Sequence, residues 1–352
     1  MKQIIVPTGY MGSGSSAVTD LLSEVKEYSC ENGSYEYVFL NCPNGLFDLE
    51  DKLLRGNNSF RSDEALHSFY NCMRQLHFEK NCWMTDYKHK IGEKFITYCD
   101  EFLRSIVDEV LPDNFWYYQE LPNRQMVMKK YIGKFISRVT LGKIKPNPVL
   151  KYRDMWLSYP SKEEFYDCAK RFLNNIFELM GGMENNLILD QLILPHNLYR
   201  VGNYFDDNVK IIVVDRDPRD VFLLNKYYWK KIGVPVPFAY DVESFCKQYK
   251  KMRECENIVY NKNILRIHFE DIVYSYEKTI SEIFLFLKIE EKDHIYKKTK
   301  LVPEKSKKNT QLFVQNNQFE KEAEYIEQNL AKYIYSFPRG EIGKMTNKDI
   351  IL

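Results

Sequence analysis

The chain has 352 residues and a mass of 42.1 kDa, enough for one large domain or two small ones. Its 44% hydrophobic and 28% charged residues exclude intrinsic disorder, collagen-like structure and a small disulfide scaffold. With Lys+Arg at 50 and Asp+Glu at 49 the net charge is +1, so no global excess points to nucleic acid or a membrane surface.

From the N-terminus, residues 3–8 read as a strand, 9–16 as a Gly/Ser loop and 17–27 as a helix. The apolar run Ile4-Ile5-Val6 stops at Pro7, too short for a secretory leader, and no stretch approaches the roughly 20 apolar residues of a spanning helix. The eight Cys include no CxxC pair and no Cys/His group at zinc spacing. These features predict a reduced, cytoplasmic protein with core cysteines and no metal. Residues 35–41 (YEYVFLN) read as a strand, and 62–78 and 93–111 as helices. The stretch 121–153, with Pro122, Pro146 and Pro148, reads as irregular. A helix follows, with Ser161 and Glu164 as a capping box, Gly181-Gly182 as the stop and an apolar stripe from Phe165 to Leu179. Short apolar runs at 187–189, 211–214 and 264–269 then alternate with helical patterns near 196–204, 218–230, 241–260 and 274–287. Buried strands alternating with helices predict an α/β fold with a central parallel sheet flanked by helices.

Two loops carry the chemistry. Gly9-Tyr-Met-Gly-Ser-Gly-Ser-Ser16 follows a strand and opens a helix, with the spacing of a phosphate-binding P-loop but Ser15 at the lysine position. Glycines let successive backbone N–H groups face one anion, and the serines add hydroxyl donors. A plain turn with Ser16 as helix cap is the alternative. The missing lysine argues against ATP or GTP hydrolysis, which needs it on the transferred phosphate. In the second loop, the run Ile211-Ile-Val-Val-Asp-Arg-Asp-Pro-Arg219 ends a buried strand and releases Arg216 and Arg219 at the carboxyl edge of the sheet, where ligands bind in such folds. Arginine presents a planar fork to phosphate. Ligand binding is the expectation for Arg216, and pairing with Asp215, Asp217 or Asp220 for Arg219. Reading Asp215 as a magnesium ligand fits the strand but not the lysine-less first loop.

Together the two loops resemble the sulfotransferases that use 3′-phosphoadenosine 5′-phosphosulfate (PAPS). Gly9…Ser13-Gly14-Ser15-Ser16 looks like that family's 5′-phosphosulfate loop, and Arg216-Asp217-Pro218-Arg219-Asp220 like its 3′-phosphate segment. Phe269-Glu270-Asp271 and Lys305-Ser-Lys-Lys-Asn309 look like its later triplet and its basic nucleotide-covering loop. The resemblance implies a P-loop-containing fold in one domain. Its nucleotide-binding core would span about 1–30 and 185–315, with a largely helical acceptor-side insertion at about 42–182. It implies PAPS as donor, no required metal, and donor contacts from Met11, Gly12, Ser13, Gly14, Ser15, Ser16, Arg216, Asn225, Lys307 and Asn309. The chain looks like a bacterial, surface-polysaccharide type of member. Two positions depart from the family: its basic loop residue falls at Gly12 and its 3′-phosphate serine at Leu224, with Asn225 next.

The reaction needs a base for the acceptor hydroxyl. Asp190, at the end of the run Leu187-Ile-Leu189, is the first candidate and His89 the second; Lys88, His89 or Lys90 could replace the charge absent at Gly12. Glu270 and Asp271 read as braces of the fold. Between 121 and 153 stand nine Lys or Arg and no Asp or Glu, interleaved with Tyr131, Phe135 and Tyr152. No nucleic-acid module accompanies the run. A solvated basic face is one reading of the run; otherwise the partner expected is a saccharide or a sugar-phosphate-linked acceptor rather than nucleic acid, with no spanning segment and room for peripheral membrane association. A small-molecule kinase or NTPase, or a non-catalytic nucleotide-binding relative, are the competing readings.

Overall fold

The computed structural model describes residues 2–33, 35–114, 124–145, 153–257 and 260–338. Five parallel strands form the central sheet in the order β2-β5-β1-β6-β7. They are β1 (Ile4–Thr8), β2 (Tyr28–Ser29), β5 (Asn186–Ile188), β6 (Val209–Asp215) and β7 (Ile264–His268). The remaining strands, β3 (Glu109–Asn114) and β4 (Arg153–Leu157), make an antiparallel ribbon. Pro7 lies in the central strand β1 yet still accepts the Gln191 N–H at 2.9 Å, so the ladder to β5 continues past its last assigned residue.

Alternating strand residues feed two cores, as a sheet covered on both faces requires. On one face Ile4, Val6, Ile211 and Val213 pack with the helices Leu46–Leu54, Ser59–Phe78, Phe95–Ile106 and Lys162–Leu179. On the other, Ile5, Ile212 and Val214 pack with the helices Ser16–Leu22 and Tyr276–Leu287. A third cluster joins Val221 to Leu224 with Phe245 and Ile326 of the helices Val242–Glu254 and Glu320–Asn329. The capping box at Ser161 and Glu164 is complete, and Gly181 closes that helix at φ +86°.

Three sequence expectations fail locally, the first being the helix 93–111, which ends at Ile106 before β3 begins at Glu109. Residues 35–41 form no strand: the Tyr37 N–H goes to the Asp190 carbonyl at 3.2 Å, and the buried Tyr87 hydroxyl accepts the Val38 and Phe39 N–H groups. Tertiary partners thus satisfy the backbone that a ladder would otherwise hold. Residues 121–153 are not irregular throughout, because Arg124–Val139 is a 16-residue helix. The expected prolines Pro122, Pro146 and Pro148, with Lys151 and Tyr152, lie outside the described residues. The alternative that made Ser16 the helix cap also fails, because Ser15 occupies the cap of the first helix and its side chain makes no capping bond.

Candidate nucleotide-binding site

Three segments distant in sequence meet at the carboxyl ends of β1, β6 and β7. The first is the Gly9–Ser16 loop, which turns through Gly12 at φ +86° and Gly14 at φ +87°. Both values lie in the left-handed region that costs an L-residue roughly 1–2 kcal/mol. Gly14 answers a second demand: a Cβ there would sit 2.6 Å from the Phe269 ring. The expected reason for Gly14, close approach of backbone to an anion, is therefore joined by a packing reason. Ser13 and Ser15 are buried, Ser16 is exposed, and Met11 stands exposed at the tip. The Ser13 hydroxyl has no hydrogen-bond partner in its buried position.

The second segment brings Arg216. Its guanidinium donates to the Gly12 carbonyl at 2.9 Å and to the Asn309 carbonyl, and lies 4.7 Å over the Phe269 ring. It is 5% exposed, its Nε has no partner, and among the described residues it forms no ion pair. The nearby acids are engaged elsewhere. Glu270 accepts the Asp217 N–H at 2.9 Å, and Asp220 accepts the Gln311 and Leu312 N–H groups. Burial pushes the Glu270 and Asp220 carboxyls up, and the Arg216 guanidinium opposes both rises. Burial also lowers the proton affinity of Arg216 itself.

The third segment is the turn Lys307–Asn309, whose Asn309 carbonyl meets Arg216 and whose Asn309 Oδ1 is buried without a partner. Lys307 Nζ lies 5.2 Å over the Tyr274 ring. Asn225 is in a π-helical turn, Leu224–Trp229, a form frequent at functional sites. Its amide donates to the Val221 carbonyl at 2.7 Å and leaves Oδ1 buried and unpaired. A Cβ on Gly12 would meet Trp229 at 3.4 Å and the Asn225 amide nitrogen at 3.5 Å. Trp229 and Asn225 therefore line the side toward which a side chain at position 12 would project, and the positive φ is what disfavours one there.

Sequence reasoning missed Gln191. Held at φ +56°, its amide accepts from the Thr8 hydroxyl at 3.0 Å and the Gly9 N–H at 3.4 Å, and donates to the Ser15 hydroxyl at 3.2 Å. It pins both ends of the first loop. The local signal was its place directly after Asp190 at a strand end. Arg219 is structural: it bonds Asp217 twice, pairs with Glu327 and lies 4.0 Å over Phe313. Asp215 is held by Arg253 and Arg266. Asp271 accepts the Tyr335 hydroxyl, and with Glu270 it braces the strand ends.

Asp190 follows β5 and is 3% exposed, with Oδ1 lacking a partner. Burial, then the Glu36 carboxylate, pushes it up to about 7, while Thr19 and the Gln191 N–H oppose the rise. His89 is exposed on the short helix Tyr87–Lys90, bonded to Asp86 at 2.6 Å. It lines a separate cavity of about 260 Å³ with Asn32, Tyr37, Leu189 and Met180. Lys88 pairs with Glu93 at 3.1 Å, and Lys90 Nζ lies over Tyr35. The structure thus joins Gly12, Arg216, Asn225 and Asn309, sets Asp190 beside the loop's clamp, and leaves His89 at a different cavity.

No family model matches the chain, and no curated protein does. Solved structures overlap it loosely. The sulfotransferase domain from the curacin biosynthetic pathway does so at 11% identity and TM-score 0.36, over 84% of this chain and 77% of that one. The sulfotransferase domain of the Synechococcus PCC 7002 olefin synthase does so at 12% and 0.35, over 96% and 98%. Retinol dehydratase in complex with androsterone and inactive cofactor PAP does so at 14% and 0.32, over 95% and 82%. Overlap at these scores is too loose to carry a functional statement, which rests on the chain's own residues.

Proposed function

We propose that this chain binds PAPS at the Gly9–Ser16 loop and transfers its sulfuryl group to an acceptor hydroxyl, that of a saccharide or a sugar-phosphate-linked compound. The observation that supports this most is Arg216, a buried guanidinium bonded, among the described residues, to two neutral carbonyls where three segments meet. Asp220, Glu270 and Asp217 lie near enough to act on this charge, but none is hydrogen-bonded to it, and a phosphate could supply the charged, bidentate partner that the two carbonyls do not. The residues present fit such a donor. Ser13 Oγ and Arg216 Nε are buried donors without partners, and the glycines keep the loop backbone open. Ser13, Gly14 and Ser15 would hold the 5′ end, and Arg216 with Asn225, Lys307 and Asn309 the 3′-phosphate. When bound, PAPS supplies an activated sulfuryl group and leaves as adenosine 3′,5′-bisphosphate.

Gln191 keeps the loop in its curled form before any ligand arrives, so its N–H groups need no reorganisation. Asp190 takes the acceptor's proton on its carboxylate; a carboxyl titrating near 7 is poised for that exchange at neutral pH. Magnesium chemistry on Asp215 has no support, because two arginines hold that carboxylate.

A thermal-shift panel tests the reading. Adenosine 3′,5′-bisphosphate at 100 times its dissociation constant stabilises the fold by about 2.7 kcal/mol. Stabilisation by ATP with magnesium but not by the bisphosphate would point to a kinase and overturn the proposal. Tight bisphosphate binding with no turnover on any hydroxyl acceptor would leave a non-catalytic nucleotide binder.

A further inference from the structure

The helix Arg124–Val139 connects the two strands of the β3–β4 ribbon, and the side it turns to solvent is the apolar one. Met128, Tyr131, Ile132, Phe135 and Val139 recur at helical spacing, and all are exposed, Tyr131 at 67% and Phe135 at 70%. The opposite side, with Met126, Gly133 and Ser137, is the partly covered one. A helix of a water-soluble surface does the reverse and buries its stripe. Leu141 and Ile144 extend the exposed apolar surface beyond the helix end. Lys129, Lys134 and Arg138 flank the stripe, and Lys130 lies on the side opposite it. Residues 124–145 hold seven Lys or Arg and no acid, so in a chain of net charge +1 the remainder is net −6.

We propose that this helix is a docking surface for an anionic lipid bilayer. It lies in the plane of the interface, with its stripe at the boundary of headgroups and acyl chains and its lysines on lipid phosphates. Apolar burial and charge attraction then act on one element, the combination that distinguishes interfacial helices. A nucleic acid would match the charge but leave Ile132, Val139 and Leu141 in water. A second copy meeting face to face would oppose two segments of charge +7. At 16 residues and about 24 Å the helix lies on a bilayer rather than crossing it. Vesicle binding needs no donor, so its outcome is separate from that of sulfuryl transfer.

The test is co-sedimentation of the full chain with phosphatidylcholine vesicles, with and without phosphatidylglycerol. Binding is expected to the anionic vesicles only and to weaken from low to physiological salt. Each lysine or arginine near the surface is worth about 1 kcal/mol, about 5-fold, so the triple variant Lys129→Gln, Lys134→Gln, Arg138→Gln lowers partitioning about 100-fold. Tyr131→Ser with Phe135→Ser also lowers it; these side chains are exposed, so the melting temperature stays put. Equal binding to neutral vesicles, or none to either, overturns the proposal. So does a dimer that Phe135→Ser dissociates while vesicles pellet nothing, or an oligonucleotide that binds where vesicles do not.

Discussion

Replacing Asp190 by Asn removes a carboxyl that the fold holds against its own preference for ionisation. Its folded-state value lies near 7 rather than the ordinary 3.8, chiefly through burial. The folded protein therefore holds the proton more tightly than the unfolded chain does. The sign follows directly: this carboxyl costs nothing below about pH 4, and stability falls as pH rises toward 7, where the loss is complete. Each tenfold change in proton affinity is worth about 1.4 kcal/mol, so the loss is about 4 kcal/mol at pH 8. Asn keeps the shape without the charge. Asp190→Asn should match the parent protein in urea unfolding at pH 4 and exceed it by up to about 4 kcal/mol at pH 8. The same variant should keep its affinity for adenosine 3′,5′-bisphosphate while turnover falls about 100-fold or more. Greater stability with lost activity is the pattern of a group kept for chemistry. A stability gain equal at both pH values, or a loss at pH 8, would show that the carboxyl is not held protonated. Unchanged turnover would show that Asp190 is not the base.

Other substitutions separate ligand contacts from braces. Arg216→Ala should weaken adenosine 3′,5′-bisphosphate by about 1.5–3 kcal/mol in calorimetry, and adenosine 5′-phosphate far less; equal losses would remove Arg216 from the 3′-phosphate. Arg219→Ala breaks a buried pair with Asp217 and should cost about 3–5 kcal/mol of stability, with the affinity of the folded fraction unchanged. Gly14→Ala meets both the positive φ and the Phe269 ring and should destabilise by roughly 2–4 kcal/mol; adding Phe269→Ala should recover part of that only if the ring contact is real. Gln191→Glu keeps the side chain's shape but replaces its donor to Ser15 with a charge facing the loop, and should weaken the bisphosphate about tenfold or more at pH 8.

What the sequence determined by itself was set by short-range physics. The buried run Ile4–Thr8, the glycines at 12 and 14 and the helix after them lie within 20 residues, where turn geometry and periodicity act alone. The capping box at Ser161 and Glu164 is likewise complete in four residues. The parallel sheet was legible because its strands, buried on both faces, are nearly continuous apolar runs. The helix Arg124–Val139 went unread because prolines flank it and its unbroken basic text resembles a solvated loop, although its apolar spacing was present.

Tertiary structure decided the rest, wherever a group's partner is far away in the chain. The YEYVFLN segment has the residues of a strand, but a tyrosine hydroxyl about 50 positions on and the carbonyl of Asp190 take its N–H groups. Arg216 and Arg219 share one loop and one chemistry, and only folding assigns the first to Gly12 and Asn309 and the second to Asp217 and Glu327. Gly14 shows as a turn glycine in sequence, while its contact with Phe269 spans 255 positions. The proton affinity of Asp190 belongs to no sequence feature at all, because burial and the Glu36 charge that raise it exist only once β5 is enclosed.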